Sequence, residues 1–392
     1  MNRKSRRTAA KQMRNPGRAG IGAESASLMT DQAVAQMQAG RDDEAERILR
    51  RLLKSQPDNA EALHLLGMAL ARSGRAAEGV EHLRQAAKAK PMEALYWNNL
   101  AASCLGIENF ADAADAARRA VELDPGYGMA WDNLGSALMD MKDSAGAQVA
   151  LSSSIRLGTA NLQTLKRAAA CAMVTGDLDN AEAWLRRAMT GAPHELDVLS
   201  NLGAVQMARG AFDAAKETLS RAIKINPDHH LSALHYGAVL AATGDRQAGL
   251  RWMRRATSSD YRSIDGWRML GETLLAERQA DEGQADEAVV ALERAAALAP
   301  HDARIADLLN RARVAKSGGS AIDSGPTADP CILDFQFPDA GAAKAPAAAK
   351  TAMAKPIAVK RGALEFILPE AKEPGKKSGS TGVIDLTMLE IK

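Results

Sequence analysis

The sequence predicts an all-α protein built from helical repeats, and three observations carry that prediction. Written in rows of 34 residues from Ala26, the 392-residue chain aligns without a gap for seven rows, starting at Ala26, Ala60, Ala94, Gly128, Leu162, Leu196 and His230. Two columns of these rows hold only small residues. Aromatic residues make up 4% of the chain while alanine is abundant, so the core has to come from closely approaching helices.

The small columns come first. Position 8 reads Ala33, Gly67, Ala101, Gly135, Ala169, Gly203, Gly237 and, in an eighth row, Gly271. Position 20 reads Ala45, Gly79, Ala113, Ala147, Ala181, Ala215 and Gly249. A first helix carrying position 8 then meets a second helix carrying position 20 with no side chain to hold them apart. Gly40, Gly74, Gly176, Gly210 and Gly244, near position 15, supply the turn between the two helices. Position 32 is Pro57, Pro91, Pro125, Pro193, Pro227 and Pro300, which end the second helix because proline cannot continue it. Thr159 and Tyr261 replace that proline in two rows, where looser joints are expected. The eighth row carries five extra residues within "ADEGQADEA", Ala280 to Ala288, expected to lengthen its inter-helix turn or first helix. Residues 303–316, with Ile305, Leu308 and Leu309, read as a lone capping helix over the last open apolar face.

With Trp97, Trp131 and Trp267 as large fourth residues and an apolar pair at positions 24 and 30, the rows resemble the tetratricopeptide repeat (TPR) family over about three quarters of the chain. The resemblance implies a right-handed superhelical solenoid of about eight helix-turn-helix units over residues 26–302, with the capping helix at 303–316. A basic disordered head (1–25) and a disordered tail (317–392) would flank it. It also implies a concave face, lined by positions 2, 5, 6, 9, 12 and 13 of the first helices, that binds a peptide or partner protein without catalysing a reaction. The expected function is a protein–protein interaction adaptor. A second reading is a detached arm that presents substrates to a separate transferase, because the position-6 asparagines look like the ladder in the TPR arm of O-linked N-acetylglucosamine transferases.

Position 6 reads Asp31, Leu65, Asn99, Asn133, Arg167, Asn201, His235 and Met269. Asparagine carries a donor and an acceptor on one planar group, which suits it to grip the backbone of an extended peptide. Asn99, Asn133, Arg167, Asn201 and His235 are therefore candidate groove residues, although the asparagines would equally serve to hydrate an exposed helix face. Position 12 includes Met139, Met173 and Met207, whose flexible thioethers suit a groove that accepts more than one ligand or, on the other reading, pack between neighbouring first helices. Lys166 and Asn201 match two places of a two-carboxylate clamp for a C-terminal carboxylate, but Ala170, Leu231 and His235 leave the clamp incomplete.

No catalytic constellation emerges. The stretch Gly375-Lys376-Lys377-Ser378 lacks the earlier glycine of a phosphate loop, since Glu370 stands there. The seven histidines offer no metal-ligand spacing, and Cys104, Cys171 and Cys331 form neither a disulfide nor a metal pattern. No enzyme activity, metal or cofactor is expected. No stretch approaches the roughly 20 apolar residues of a membrane helix, so a soluble cytoplasmic protein is expected.

Charge is uneven: seven basic residues against one acidic in 1–25, 34 against 38 in 26–316, and nine of each in 317–392. Arg3, Lys4, Arg6 and Arg7 offer the head charge for nucleic acid or an anionic membrane, but aromatics for base stacking and an apolar insertion face are missing, so neither partner is expected. Basic openings of this kind resemble those of alphaproteobacterial TPR proteins. The tail repeats one template in "ILDFQF", "ALEFIL" and "VIDLTM": apolar, apolar, acid, apolar, any residue, apolar. As strands, these put Leu333, Phe335 and Phe337, then Leu364, Phe366 and Leu368, then Ile384, Leu386 and Met388 on one face. Three uses fit: adding a strand to a partner's sheet, filling the protein's own groove, or loose pairing among themselves or on the capping helix. The sequence leaves the oligomeric state open.

Overall fold

A computed structural model describes residues 23–276 and 282–317. Among the described residues there are 17 helices and no strand. Sixteen of them alternate as first and second helices of eight pairs: α1 (Ala23–Gln38) and α2 (Asp42–Ser55), α3 (Ala60–Arg72) and α4 (Ala76–Ala89), α5 (Ala94–Gly106) and α6 (Phe110–Leu123), α7 (Gly128–Asp140) and α8 (Ser144–Arg156), α9 (Leu162–Thr175) and α10 (Leu178–Gly191), α11 (Leu196–Ala208) and α12 (Phe212–Ile225), α13 (His230–Ala242) and α14 (Arg246–Ser259), α15 (Ile264–Leu275) and α16 (Glu282–Leu298). A single helix, α17 (Ala303–Lys316), follows. From α3 to α15, every first helix begins on the first residue of a 34-residue row.

The helices fall into two compact units, one of residues 23–143 and Val149–Thr159, the other of Ser144–Gln148, 160–276 and 282–317. In the first unit each helix from α1 to α7 packs on the next in the chain, and α1, α3, α5 and α7 also stack on one another. The second unit repeats this scheme from α9 to α17, with α11, α13, α15 and α17 stacked in turn. There α17 buries Leu308, Leu309 and Ala312 in a core shared with Leu270, Leu274 and Leu292.

The small columns set how closely paired helices approach. A Cβ on Gly67 would lie 2.8 Å from the Gly79 carbonyl oxygen, and one on Gly237 would lie 2.7 Å from that of Gly249. Backbone touches backbone there, so even a methyl group has nowhere to go. At Gly203 and Gly271 the space is taken instead by Leu219 and Leu292 of the paired helix, four residues after the small position.

The inner turns need a left-handed residue, which glycine adopts without steric cost. Gly40, Gly74, Gly176, Gly210 and Gly244 have φ of 71°, 84°, 79°, 74° and 97°. The third and fourth rows place Glu108 and Lys142 at this position, with φ of 59° and 67°. Those two side chains are held in a conformation that costs about 1 kcal/mol outside glycine.

The joints between pairs are fastened by a recurrent bond. The indole N–H of Trp97 donates to the Pro91 carbonyl at 3.0 Å, and that of Trp131 to Pro125 at 2.9 Å. Trp267 does the same to Tyr261 at 2.9 Å. The acceptor is a backbone carbonyl, so replacing proline by Tyr261 does not loosen this joint, contrary to the sequence expectation. Thr159 is also tied down: its hydroxyl lies 3.2 Å from the Ser154 carbonyl and 3.1 Å from the Ser154 hydroxyl, and it fills the space that a side chain on Gly128 would need. Ion pairs link successive second helices at about one repeat's spacing, as in Arg50–Glu78, Arg84–Asp112 and Arg254–Glu287, each 2.6 Å.

In the eighth pair six residues separate the two helices, against two or three in the other pairs, so the extra residues widen the inter-helix connection as expected and do not lengthen the first helix. Its first helix, α15, has 12 residues, whereas the second, α16, has 17 against 13 or 14 in the other pairs. The middle of the duplicated stretch, residues 282–284, extends α16 at the N-terminus.

Two stability predictions follow from the backbone contacts. Gly237→Ala should lower stability by about 1–3 kcal/mol through overpacking against Gly249, and urea denaturation reads it directly. Lys142→Gly should raise stability by roughly 0.5–1 kcal/mol by relieving the left-handed turn, so a lowered midpoint for that variant would contradict the strain.

Candidate first-helix binding faces

Stacking of the first helices decides what positions 5 and 6 can do. In the first unit, Asn99 is fully buried, and its amide donates to His64 Nε2 at 2.9 Å and to the Met68 sulfur at 3.4 Å. Its oxygen accepts from the Asn98 amide at 3.2 Å, and the Asn98 oxygen accepts from Asn133 at 2.9 Å. Asn133, Asn98, Asn99 and His64 thus form one directed chain of hydrogen bonds from α7 through α5 to α3. The pairing rule is position 5 of one row with position 6 of the next, 35 residues on.

The sequence reading of Asn99 and Asn133 as a solvent-facing rail is corrected by this burial. Their amides satisfy each other and His64 beneath the surface, because an amide sealed between two helices costs more unpaired than paired. His64 accepts at Nε2, stacks on Tyr96 at 4.3 Å, and is held neutral. Burial, with the charge of Lys90 adding to it, pushes its ring down to about 3.

In the second unit the same register gives a bond from His235 Nδ1–H to the Ser200 carbonyl at 3.1 Å. His235 is buried, and burial lowers it to about 4. It faces the interior, not a groove. Met173 and Met207 are likewise buried at 6% and 4% exposure, so for these two the packing reading holds, and Met207 belongs to the core of the unit. Met139 in the first unit, and Arg167 and Asn201 in the second, are half-buried and reach the surface.

Lys166 is engaged by the protein's own carboxylates, Glu195 at 2.7 Å and Asp197 at 3.0 Å. This engagement leaves the partial carboxylate clamp further from use. The head residues Arg3, Lys4, Arg6 and Arg7 lie outside the described residues, as do the tail residues Leu333, Phe335, Phe337, Leu364, Phe366, Leu368, Ile384, Leu386 and Met388.

Sequence reasoning missed His64 and Asn98 as members of the buried chain. The available signal was position 5, where His64, Asn98, Lys166, Ser200 and Arg268 put a polar residue next to the position-6 column. Arg268 extends the theme: it is 4% exposed and pairs with Asp265 at 3.2 Å and Glu272 at 3.0 Å, while Glu272 also holds Arg304 of α17 at 3.1 Å. Among the described residues no group of three or more His, Cys, Asp or Glu is placed to hold a metal ion. No helix among them is long and apolar enough to cross a membrane.

Asn99→Ala should cost about 2–4 kcal/mol, since it strands His64 Nε2 and the Asn98 amide, whereas Asn201→Ala should stay within about 0.5 kcal/mol. Urea midpoints of the two variants compare them, and equal midpoints would contradict the buried chain. His64 and His235 are neutral when folded but take a proton near pH 6.5 when unfolded. Their contribution is therefore complete above about pH 6.5 and is lost as pH falls toward 4 and then 3, about 2 kcal/mol each by pH 5. The melting temperature should fall between pH 6.5 and 5, and His64→Gln should remove part of that fall.

Comparison with known proteins adds the following. No curated protein sequence matches the chain. Among solved structures, YrrB, described as a TPR protein with an unusual peptide-binding site, shares 16% identity at a TM-score of 0.44, covering 48% of this chain and 96% of that one. The APC/C heterotetramer Cut9–Hcn1 shares 16% at 0.47, covering 79% and 59%. PilF of Pseudomonas aeruginosa shares 19% at 0.45, covering 54% and 96%. The tetratricopeptide repeat model matches residues 30–91 and 64–128, and that of the middle TPR-like domain of cilia and flagella-associated protein 70 matches residues 165–315. The chain carries tetratricopeptide repeats over residues 30–128 and a TPR-like domain over residues 165–315, a fold that suggests a protein–protein interaction scaffold.

Proposed function

We propose that the protein is a non-enzymatic adaptor that takes an extended peptide or partner segment on the first-helix face of its second unit. The observation that supports this is the pair Arg167 and Asn201. They occupy position 6 of successive first helices, α9 and α11, and they stay half-buried where Asn99, Asn133 and His235 in the same column are sealed. Polar groups that reach the surface from a helix are held in place before a ligand arrives, so binding there carries little ordering cost. Val174, 39% exposed at the far end of α9, adds an apolar contact on the same helix. Met139 is a candidate contact in the first unit, and the three tail islands are candidate motifs for a second partner.

Affinity capture tests the reading with three baits: the full chain, residues 1–316, and an Arg167→Ala, Asn201→Ala double variant. A partner retained by residues 1–316 and lost by at least tenfold with the double variant supports the first-helix face. A partner that follows residues 317–392 and ignores the double variant overturns it in favour of the tail islands.

A further inference from the structure

The last second helices of the second unit carry a surface that the first-helix face leaves unused. α14 holds Arg246, Arg251, Arg254 and Arg255 and no acidic residue. Arg254 is neutralised by Glu287 of α16 through two bonds of 2.7 and 2.6 Å, which set the two helices side by side. Arg246 donates to carbonyls at the end of α15, and Arg255 reaches Asp228 at 2.8 Å while lying over the Trp252 ring. Arg251 is exposed and has no carboxylate at ion-pair distance among the described residues, and the same holds for Arg294 on α16. Val290 and Leu298, 56% and 40% exposed, stand one turn before and after Arg294. Two carboxylates of α16 are taken up by α17, Asp286 by Lys316 at 2.8 Å and Glu293 by Arg313 at 3.0 Å. What is left is a patch both apolar and positive.

The same chain supplies a complement of opposite sign. Residues 317–343 carry Asp323, Asp329, Asp334 and Asp339 and no Lys, Arg or His. Within them the first tail island sets Phe335 and Phe337 between Asp334 and Asp339. The other two islands have basic neighbours, Lys360 and Arg361 before "ALEFIL" and Lys376 and Lys377 before "VIDLTM". Distance favours the first island as well. Lys316 closes α17 and pairs with Asp286, so the chain leaves the helices one turn from Val290. Residues 317–331 separate it from Ile332 and span at most about 50 Å, against about 10 Å between packed helix axes. A short tether gives an effective concentration on the order of millimolar, so even a weak contact is well occupied.

We propose that residues 332–339 of the chain's own tail dock on this patch, with Phe335 and Phe337 against Val290 and Leu298 and with Asp334 and Asp339 against Arg251 and Arg294. The contact withholds the first island from a second partner, to which the other two islands stay open. Its charged half is a pairing of surface groups, so added salt loosens it.

Photo-cross-linking from Cys331, next to the island, tests the contact in the full chain. Cys104 and Cys171 are buried, so a benzophenone maleimide labels Cys331. Irradiated in dilute solution and digested, the protein should give cross-links within one molecule to peptides of residues 246–259 and 282–298. Arg251→Glu with Arg294→Glu should cut their yield by about fivefold or more, as expected for an interaction carried by opposite charges, and adding Asp334→Arg with Asp339→Arg should restore it. Both arginines are exposed, so their reversal leaves the fold intact. Cross-links to the first helices alone would put the island on the ligand face, and cross-links between chains would give the patch to a second copy. Either result overturns the proposal, as does a yield on α14 and α16 that ignores the charge reversals or is nil.

Discussion

Backbone contact between paired helices is the constraint on which the rest of this structure depends. Where Gly67 meets Gly79 and Gly237 meets Gly249, the helices come too close to admit a Cβ. Each such pair is thin, and within each unit neighbouring first helices stack and bury groups such as Asn99 and His235. Such groups lose water, and a polar group that loses water needs a partner. The bonds between positions 5 and 6 of neighbouring rows meet that need.

This changes where a ligand can be sought. A polar column in a repeat array can be read as a row of hands held out to a peptide, but here Asn99, Asn133 and His235 bond to the preceding repeat. Asn99 ties α5 to His64 of α3, and Asn133 ties α7 to Asn98 of α5. Asp31, Arg167 and Asn201 of the same column stay half-buried.

Most of the fold was legible in the sequence because the repeat encodes it many times over. The helix starts followed from the row spacing, the inner turns from the glycines, and the close approach from the two small columns. Glu108 and Lys142 were not legible as left-handed residues, since neither type signals that conformation; only their place in the register did. Thr159 and Tyr261 misled because a missing proline was read as a lost helix stop, whereas the joint is made by a backbone carbonyl and a hydroxyl. The site was harder to read. Whether an asparagine at position 6 faces solvent or the next helix depends on the residue 35 positions earlier, a relation between rows that a column-by-column reading does not contain. Asn201 and Asn99 occupy the same column and end in different surroundings.

The pairing across 35 residues is the central claim, and a double-mutant cycle on Asn98 and Asn133 tests it most directly. Stability would be measured for Asn98→Ala, Asn133→Ala and the double variant in the full chain. A coupling energy of about 1 kcal/mol or more between the two sites is the predicted result, as for side chains that share a buried bond. Additive effects within about 0.3 kcal/mol would mean that the two amides do not depend on each other, and the inter-repeat chain would have to be abandoned.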